Sequence, residues 1–378
     1  MRILITGGAG QLAQALLSVA ELSRTTQITR ANEVTKATEV TGATETNSIA
    51  LTAAQRVLLA SLPEALECTA TTDEVMGLSH RQLDICEPDS IRIAFDAFKP
   101  DVVINCAAYN AVDKAEIDVD RAMAVNGVGP KLLAQECLHR NIRLVHISTD
   151  FVFDGGLQRS YTEQDAPAPL SSYGKSKLEG ERWVSDILGA KATIIRTSWL
   201  YSCWGNNFVK TMQGLFKIKE GLSVINDQYG SPTWCEALAV AILLLVKQTQ
   251  QMNLNDKAAL EERTAQGVAH LYHYASSASV SWYEFACEIQ RQVLAMTEPK
   301  FKSVDCLIEP ITTQVWQGLH ENTLALRPKQ SALNAQKLCH QLSIEQGSLL
   351  TASWQKQLAA MLAYQKVKSR ESREGSRF

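Results

Sequence analysis

The chain has 378 residues, 46% hydrophobic and 20% charged, with a net charge of −3; this composition implies a globular protein of one large or two moderate domains, and near-balanced, dispersed charge excludes a nucleic-acid footprint. Nine scattered cysteines, an odd number with no Cys-x-x-Cys pair, argue against a disulfide framework or a zinc site and for a reducing compartment. No signal-peptide pattern follows Met1-Arg2, and the longest apolar run, Ala237 to Val246, is half a membrane span, so the expectation is a cytoplasmic protein without membrane contact.

Arg2-Ile3-Leu4-Ile5-Thr6 is a short apolar strand that runs into Gly7-Gly8-Ala9-Gly10-Gln11-Leu12-Ala13 and then a helical stretch through Leu22. Glycines at 7 or 8 and 10, with Ala13, give the spacing of a dinucleotide turn. There the backbone approaches a pyrophosphate and the helix N-terminus offers free N–H groups. From about Ser23 to Ala60 the chain is rich in Thr, Ala, Glu and Asn and reads as an insertion, with a mobile loop over Thr25–Thr52 and an amphipathic helix over Leu51–Leu62. Glu67 to Thr72 is the expected second strand, ending at Asp73, a carboxylate suited to the adenosine ribose hydroxyls.

Leu83-Asp84-Ile85 leads to Pro88, the first turn of a helix to Phe98. Val102 to Cys106 is a buried strand, with Ala107-Ala108-Tyr109-Asn110 at its carboxyl end, where open α/β sheets bind ligands. One long helix is expected over Asp118–Arg140. Leu144 to Ser148 is a strand that ends at Thr149-Asp150, and Thr193 to Thr197 is another that ends at Ser198-Trp199. Between them Tyr173-Gly174-Lys175-Ser176-Lys177 opens a helix. Tyr173 and Lys177, four apart, share one face, and the lysine is expected to lower the phenol pKa. Alternating strands and helices predict an α/β fold, a doubly wound parallel sheet (Rossmann), over residues 1–200. Residues 201–364 are expected to form mainly a smaller mixed α/β substrate domain with some segments returning to the sheet. A polar stretch at 250–266 reads as a second insertion, and residues 365–378 as a disordered tail. His270 and His273 are assigned to strand packing rather than to a metal.

These pieces resemble the extended short-chain dehydrogenase/reductase family, in particular its members that reduce a dTDP-4-keto-6-deoxy sugar. The resemblance rests on Gly7–Leu12, Leu83-Asp84-Ile85, Pro100–Asn105, Ala107–Glu116 and Ser148–Phe153. It continues through Tyr173–Glu181, Arg196–Tyr201, Gly205–Phe208, Asn226–Thr233, Ser281–Phe285 and Arg327-Pro328-Lys329. It implies NADPH or NADH as cofactor. Gly7, Gly10, Gln11 and Leu12 would lie at the pyrophosphate, Asp84 and Ile85 at the adenine, and Ala108, Tyr109 and Asn110 further along. Tyr173 would donate the proton, Lys177 would hold the nicotinamide ribose, and Thr149 would bond the reacting carbonyl. Asp150 and Trp199 would hold the sugar, and Asn126 matches the helix asparagine that supports the lysine. The chain departs from the family at Asn110, where Thr is usual, and at Ala13, where Gly is commoner. The resemblance also allows a Mg2+ ion, which no residue pattern locates, and a homodimer; the partner otherwise implied is a nucleotide-sugar. Two rivals share these motifs. One is a nucleotide-sugar dehydratase or epimerase on the same fold, of which a dehydratase would commonly carry a Glu where Phe151 stands; the other is a non-catalytic regulatory subunit of a methionine adenosyltransferase, which would not need Thr149, Tyr173 and Lys177.

Overall fold

The computed structural model describes residues 1–38, 51–64, 68–70, 72–255, 267–276, 278–296, 306–319, 325–344 and 348–375. In its first part the chain alternates β1 (Arg2–Thr6), α1 (Gln11–Thr38), α2 (Ala53–Ser61), β2 (Glu74–Leu78), α3 (Pro88–Phe98), β3 (Val102–Asn105), α4 (Val119–Met123), α5 (Gly129–His139), β4 (Arg143–Thr149), α6 (Ser172–Leu188) and β5 (Ala192–Thr197). Then follow β6 (Leu200–Tyr201), α7 (Phe208–Leu215), β7 (Gly221–Ile225), β8 (Tyr229–Gly230), β9 (Thr233–Trp234), α8 (Cys235–Asn255), β10 (His270–His273) and β11 (Val280–Ser281). The last elements are α9 (Trp282–Met296), β12 (Leu307–Ile311), α10 (Thr313–Leu319), α11 (Gln336–Gln341) and α12 (Trp354–Gly375).

Among the described residues the main sheet has six parallel strands in the order β10-β5-β4-β3-β1-β2. Ile3, Leu4 and Ile5 of β1 and Val102, Val103 and Ile104 of β3 are buried on both faces, as a sheet covered by helices on each side requires. The largest apolar cluster lies under α1, α8, α9 and α12, and a second under α3, α5 and α6. Strand order reverses at β1, which pairs with β2 on one side and β3 on the other. That reversal opens a crevice at the carboxyl ends of the strands. The small β7–β12, β6–β9 and β8–β11 pairs sit outside the main sheet.

Several sequence expectations change. The second strand is Glu74–Leu78 rather than 67–72: Cys68 and Thr69 turn inward instead, and the Thr69 N–H donates to Ser23 Oγ at 3.2 Å. The segment after Leu22 is no loop at its start, because α1 continues to Thr38 with Ser23 and Thr26 buried; residues 39–50 lie outside the described residues. Helix α2 is present within the expected Leu51–Leu62, closed at its start by a Thr52–Gln55 capping box. The tail is helical, since α12 runs to Gly375. The helix expected over 118–140 is α4 and α5 joined by a π-turn, Ala124–Val128. The polar stretch begins inside α8, which reaches Asn255, and 256–266 lie outside the described residues.

Candidate active site

The glycine turn is built by backbone crowding. Gly7 has φ +65°, and a Cβ there would stand 2.8 Å from the Ala107 nitrogen, so only glycine fits. The Gly8 N–H donates to Leu78 O and the Gly10 N–H to Gly7 O, both at 2.8 Å, which fixes the turn on β2 and aims the start of α1 at the crevice. The first turn of α1 carries no acidic residue, leaving its amides and positive dipole end for an anion. A dinucleotide pyrophosphate fits this cradle.

The strand ends beside it are locked together. Thr6 Oγ1 donates to Asn105 Oδ1 at 2.6 Å, Asn105 Nδ2 meets His146 Nδ1 at 3.0 Å, and the Ala107 N–H donates to Asn105 Oδ1 at 3.2 Å. Burial and the nearby Lys177 cation hold His146 well below its usual pKa, so its ring is neutral and Nδ1 can accept.

Tyr173 and Lys177 do share one face of α6 and point into one cavity of about 450 Å³. Ser171 caps the helix by accepting from Gly174 N at 3.1 Å, and Glu116 grips Ser172 through its N–H and hydroxyl. Gly174 lies so close to Phe151 O that a Cβ would collide; this contact brings Tyr173 down onto the end of β4. There the Thr149 hydroxyl lies against the Tyr173 phenol. The expected lowering of the phenol is reversed: Tyr173 is pushed up to about 12, chiefly by burial. Lys177 is 2% exposed, falls to about 8 by burial and donates from Nζ to Ile147 O at 2.6 Å. The phenol is therefore protonated at neutral pH, the form that can donate. Asn126, on the π-turn, braces this helix less directly. It accepts from Tyr109 N at 2.8 Å and donates to Tyr109 O and Ser176 Oγ, both at 3.1 Å.

Gly10, Gln11, Leu12, Ala108, Asn110, Thr149, Asp150 and Trp199 line the same cavity. Asp150 is 2% exposed, and burial pushes it up to about 6. Trp199, at φ +46°, stacks on Trp282 with centroids 3.4 Å apart. Gly7, Tyr109, Asp84 and Ile85 stand outside the lining: Ile85 is a core side chain, and Asp84 Oδ1 caps Cys86 N at 2.9 Å. Asp73 is overturned. It precedes β2 at the end opposite the glycine turn and accepts from the Met1 ammonium and Ala70 N, each at 2.8 Å. A five-residue strand puts it roughly 16 Å from the crevice. Ser79-His80-Arg81 instead follow the carboxyl end of β2, with both basic side chains exposed.

The cavity also takes in Cys106, Ser148, Asn206, Trp282 and Arg327, to which the sequence assigned no role. Arg327 pairs with Asp113 and borders a second cavity of about 220 Å³, lined by Phe208, Val224, Trp282 and Trp316. Only the Arg-Pro-Lys and Val-Asp-Lys motifs could have drawn attention to that pair. Among the described residues no three His, Cys, Asp or Glu side chains gather as a metal site, and no helix is long and apolar enough to cross a membrane.

Comparison with known proteins agrees with this geometry. The chain is 37% identical over 291 residues to a dTDP-4-dehydrorhamnose reductase of Aggregatibacter actinomycetemcomitans, covering 77% of this chain and 90% of that protein. It superposes on the crystal structure of a dTDP-4-dehydrorhamnose reductase from Clostridium acetobutylicum with TM-score 0.70 and 30% identity, covering 97% of this chain and all of the other. A Bacillus anthracis dTDP-4-dehydrorhamnose reductase in complex with NADP matches with TM-score 0.67 and 29% identity, covering 96% of this chain and 98% of that one. Residues 58–367 match the RmlD substrate binding domain, and the chain belongs to that family.

Proposed function

We propose that this protein catalyses NADPH-dependent reduction of dTDP-4-dehydro-β-L-rhamnose to dTDP-β-L-rhamnose, a polysaccharide precursor. The observation that carries the reading is the gathering of Tyr173, Lys177 and Thr149 on one cavity that continues from the glycine turn to Trp199. Residues 1–200 hold mainly the dinucleotide and 201–364 mainly the nucleotide-sugar. A bound nicotinamide supplies the hydride to the ketone carbon. Tyr173 gives its phenolic proton to the ketone oxygen, and Thr149 bonds that oxygen as charge develops on it. Lys177 holds the nicotinamide ribose. Asp150 and the Trp199 face orient the sugar. Gly10, Gln11 and Leu12 receive the pyrophosphate, with Ala108 and Asn110 beside it. Arg81, a cation without an ion pair among the described residues, suits the 2′-phosphate of NADPH, where a carboxylate would repel it. Phe151, packed edge-on against Tyr173 at 5.7 Å, cannot move a proton, which disfavours dehydration.

The test is turnover of the dTDP-4-keto sugar with each cofactor, with the product identified by NMR. NADPH should be oxidised only when the keto-sugar is supplied, and preferentially over NADH. Tyr173→Phe should lower turnover by roughly 10²–10⁴ while leaving NADPH affinity near the parent value. Binding of cofactor without turnover by the parent would sink the reading in favour of a regulatory subunit.

A further inference from the structure

The loop from Ser202 to Asn207 rests on the glycine turn. Gln11 Nε2 donates to Leu200 O at 3.2 Å, and Asn207 Nδ2 donates to Gln11 Oε1 at 3.3 Å. Gly205, at φ +58°, passes so near that a Cβ would stand 3.3 Å from Gln11 Cβ, and Asn206 lines the reaction cavity. From beneath, buried Glu236 accepts from Ser202 Oγ at 2.7 Å, and Ser202 Oγ accepts from Trp204 N at 3.2 Å. Lys368 Nζ stands 3.5 Å from the centre of the Trp204 ring, close enough to Glu236 and Glu371 for their charges to favour its ammonium. Lys368 belongs to the last turns of α12, just past the residues matched to the family. Those turns are anchored independently: Glu371 accepts from Ala54 N at the start of α2 at 3.0 Å, and Gln365 exchanges two 3.1 Å bonds with Gln213 of α7.

We propose that Lys368, acting through Trp204, is a positioning residue for the dinucleotide, pressing the 202–207 loop onto Gln11 so that the pyrophosphate cradle is shaped before the cofactor enters. The inference rests on the reading of the glycine turn as the cofactor site. A cation over an indole face is attracted by the ring quadrupole, and here the cation is delivered by a helix held at two other points. The end of α12 and the α2 segment thereby belong to the cofactor site although neither touches it.

The test uses the full chain, with NADPH titrated by fluorescence in the absence of sugar. Lys368→Met keeps the aliphatic stem and removes the charge; its Kd for NADPH should rise about three- to tenfold, the range of a partly desolvated cation–π contact. Turnover at saturating NADPH and KM for the keto-sugar should stay at parent values, and Lys368→Arg should bind NADPH like the parent. Trp204→Leu should reproduce the loss, and adding Lys368→Met to it should cost nothing more, as expected of two residues acting as one contact. A Lys368→Met Kd within twofold of the parent, with or without a lower melting temperature, overturns the inference, as do additive effects in the double variant. A parent that binds no NADPH overturns the cofactor reading as well, which separates the two failures.

Discussion

Burial moves the proton affinity of Asp150 up to about 6, and the sign of its effect on stability follows. The unfolded carboxyl ionises near 3.8 and the folded one near 6, so between these values the folded chain holds more protons and stability falls as pH rises. Above pH 6 the full cost, roughly 3 kcal/mol for a shift of about two units, applies. Asp150→Asn keeps an oxygen for the Thr149 hydroxyl and carries no charge. It should therefore melt higher than the parent at pH 8, with the gap closing by about pH 4, while KM for the keto-sugar rises. Melting curves across that range check this, and a variant less stable than the parent at pH 8 would contradict it. The residue scale also shows why the sequence could be read only in part. Tyr173 and Lys177 were legible as a pair because helical spacing alone puts them on one face. Their proton affinities were not, because burial is a property of the assembled cavity. Asp73 was misplaced because a strand start shifted from 67 to 74 moves a carboxylate from one end of the sheet to the other.

Helix α6 is held to the sheet by a pair that has nothing to do with its helical spacing. Arg196 of β5 donates from Nε and Nη2 to the two oxygens of Glu181, at 2.8 and 2.6 Å, with both side chains almost fully buried. Glu181 sits four residues beyond Lys177, and its charge is the largest influence favouring the ammonium. Removing one partner leaves the other buried and unpaired. Arg196→Leu should therefore cost about 3–5 kcal/mol, whereas Arg196→Leu with Glu181→Leu should recover much of that loss. Urea unfolding of the single and double variants decides the matter, and equal losses in both would mean that packing rather than charge dominates. The π-turn facing this helix was hidden from the sequence for a different reason. One wider turn within a long helical pattern leaves the apolar periodicity nearly intact, yet it carries Asn126. There Gly180 runs against Asn126 O so closely that any Cβ would collide.

At the scale of the whole molecule, the parallel sheet was readable from alternating apolar strands and helices. In the helical annex of α1, α2 and α12, the start of α1 and the amphipathic α2 were readable as well, but the continuation of α1 to Thr38 and the helical end of α12 were not. Those stretches are polar, and the end of α12 is ordered by contacts between segments more than 300 residues apart, such as Ala54 with Glu371. The same long-range assembly puts Arg327, from the segment after α10, on Asp113 of the loop after β3, where its guanidinium borders both the reaction cavity and the smaller apolar one. A nucleotide-sugar with its hexose at Tyr173 and its base among Phe208, Trp282 and Trp316 would pass its diphosphate across this junction. The pair is partly exposed, with side chains 23% and 33% accessible, so losing it should cost no more than about 1 kcal/mol of stability. Binding should suffer more, because a charge-assisted bond to phosphate is worth about 1.5–3 kcal/mol. Arg327→Ala should weaken dTDP binding at least about tenfold by calorimetry and raise KM for the keto-sugar in parallel. NADPH affinity should not move, since Arg327 is bonded to Asp113 and Ala325 and to no residue of the glycine turn. Unchanged dTDP affinity in Arg327→Ala would mean that the guanidinium serves Asp113 alone and that the diphosphate takes another path between the two cavities.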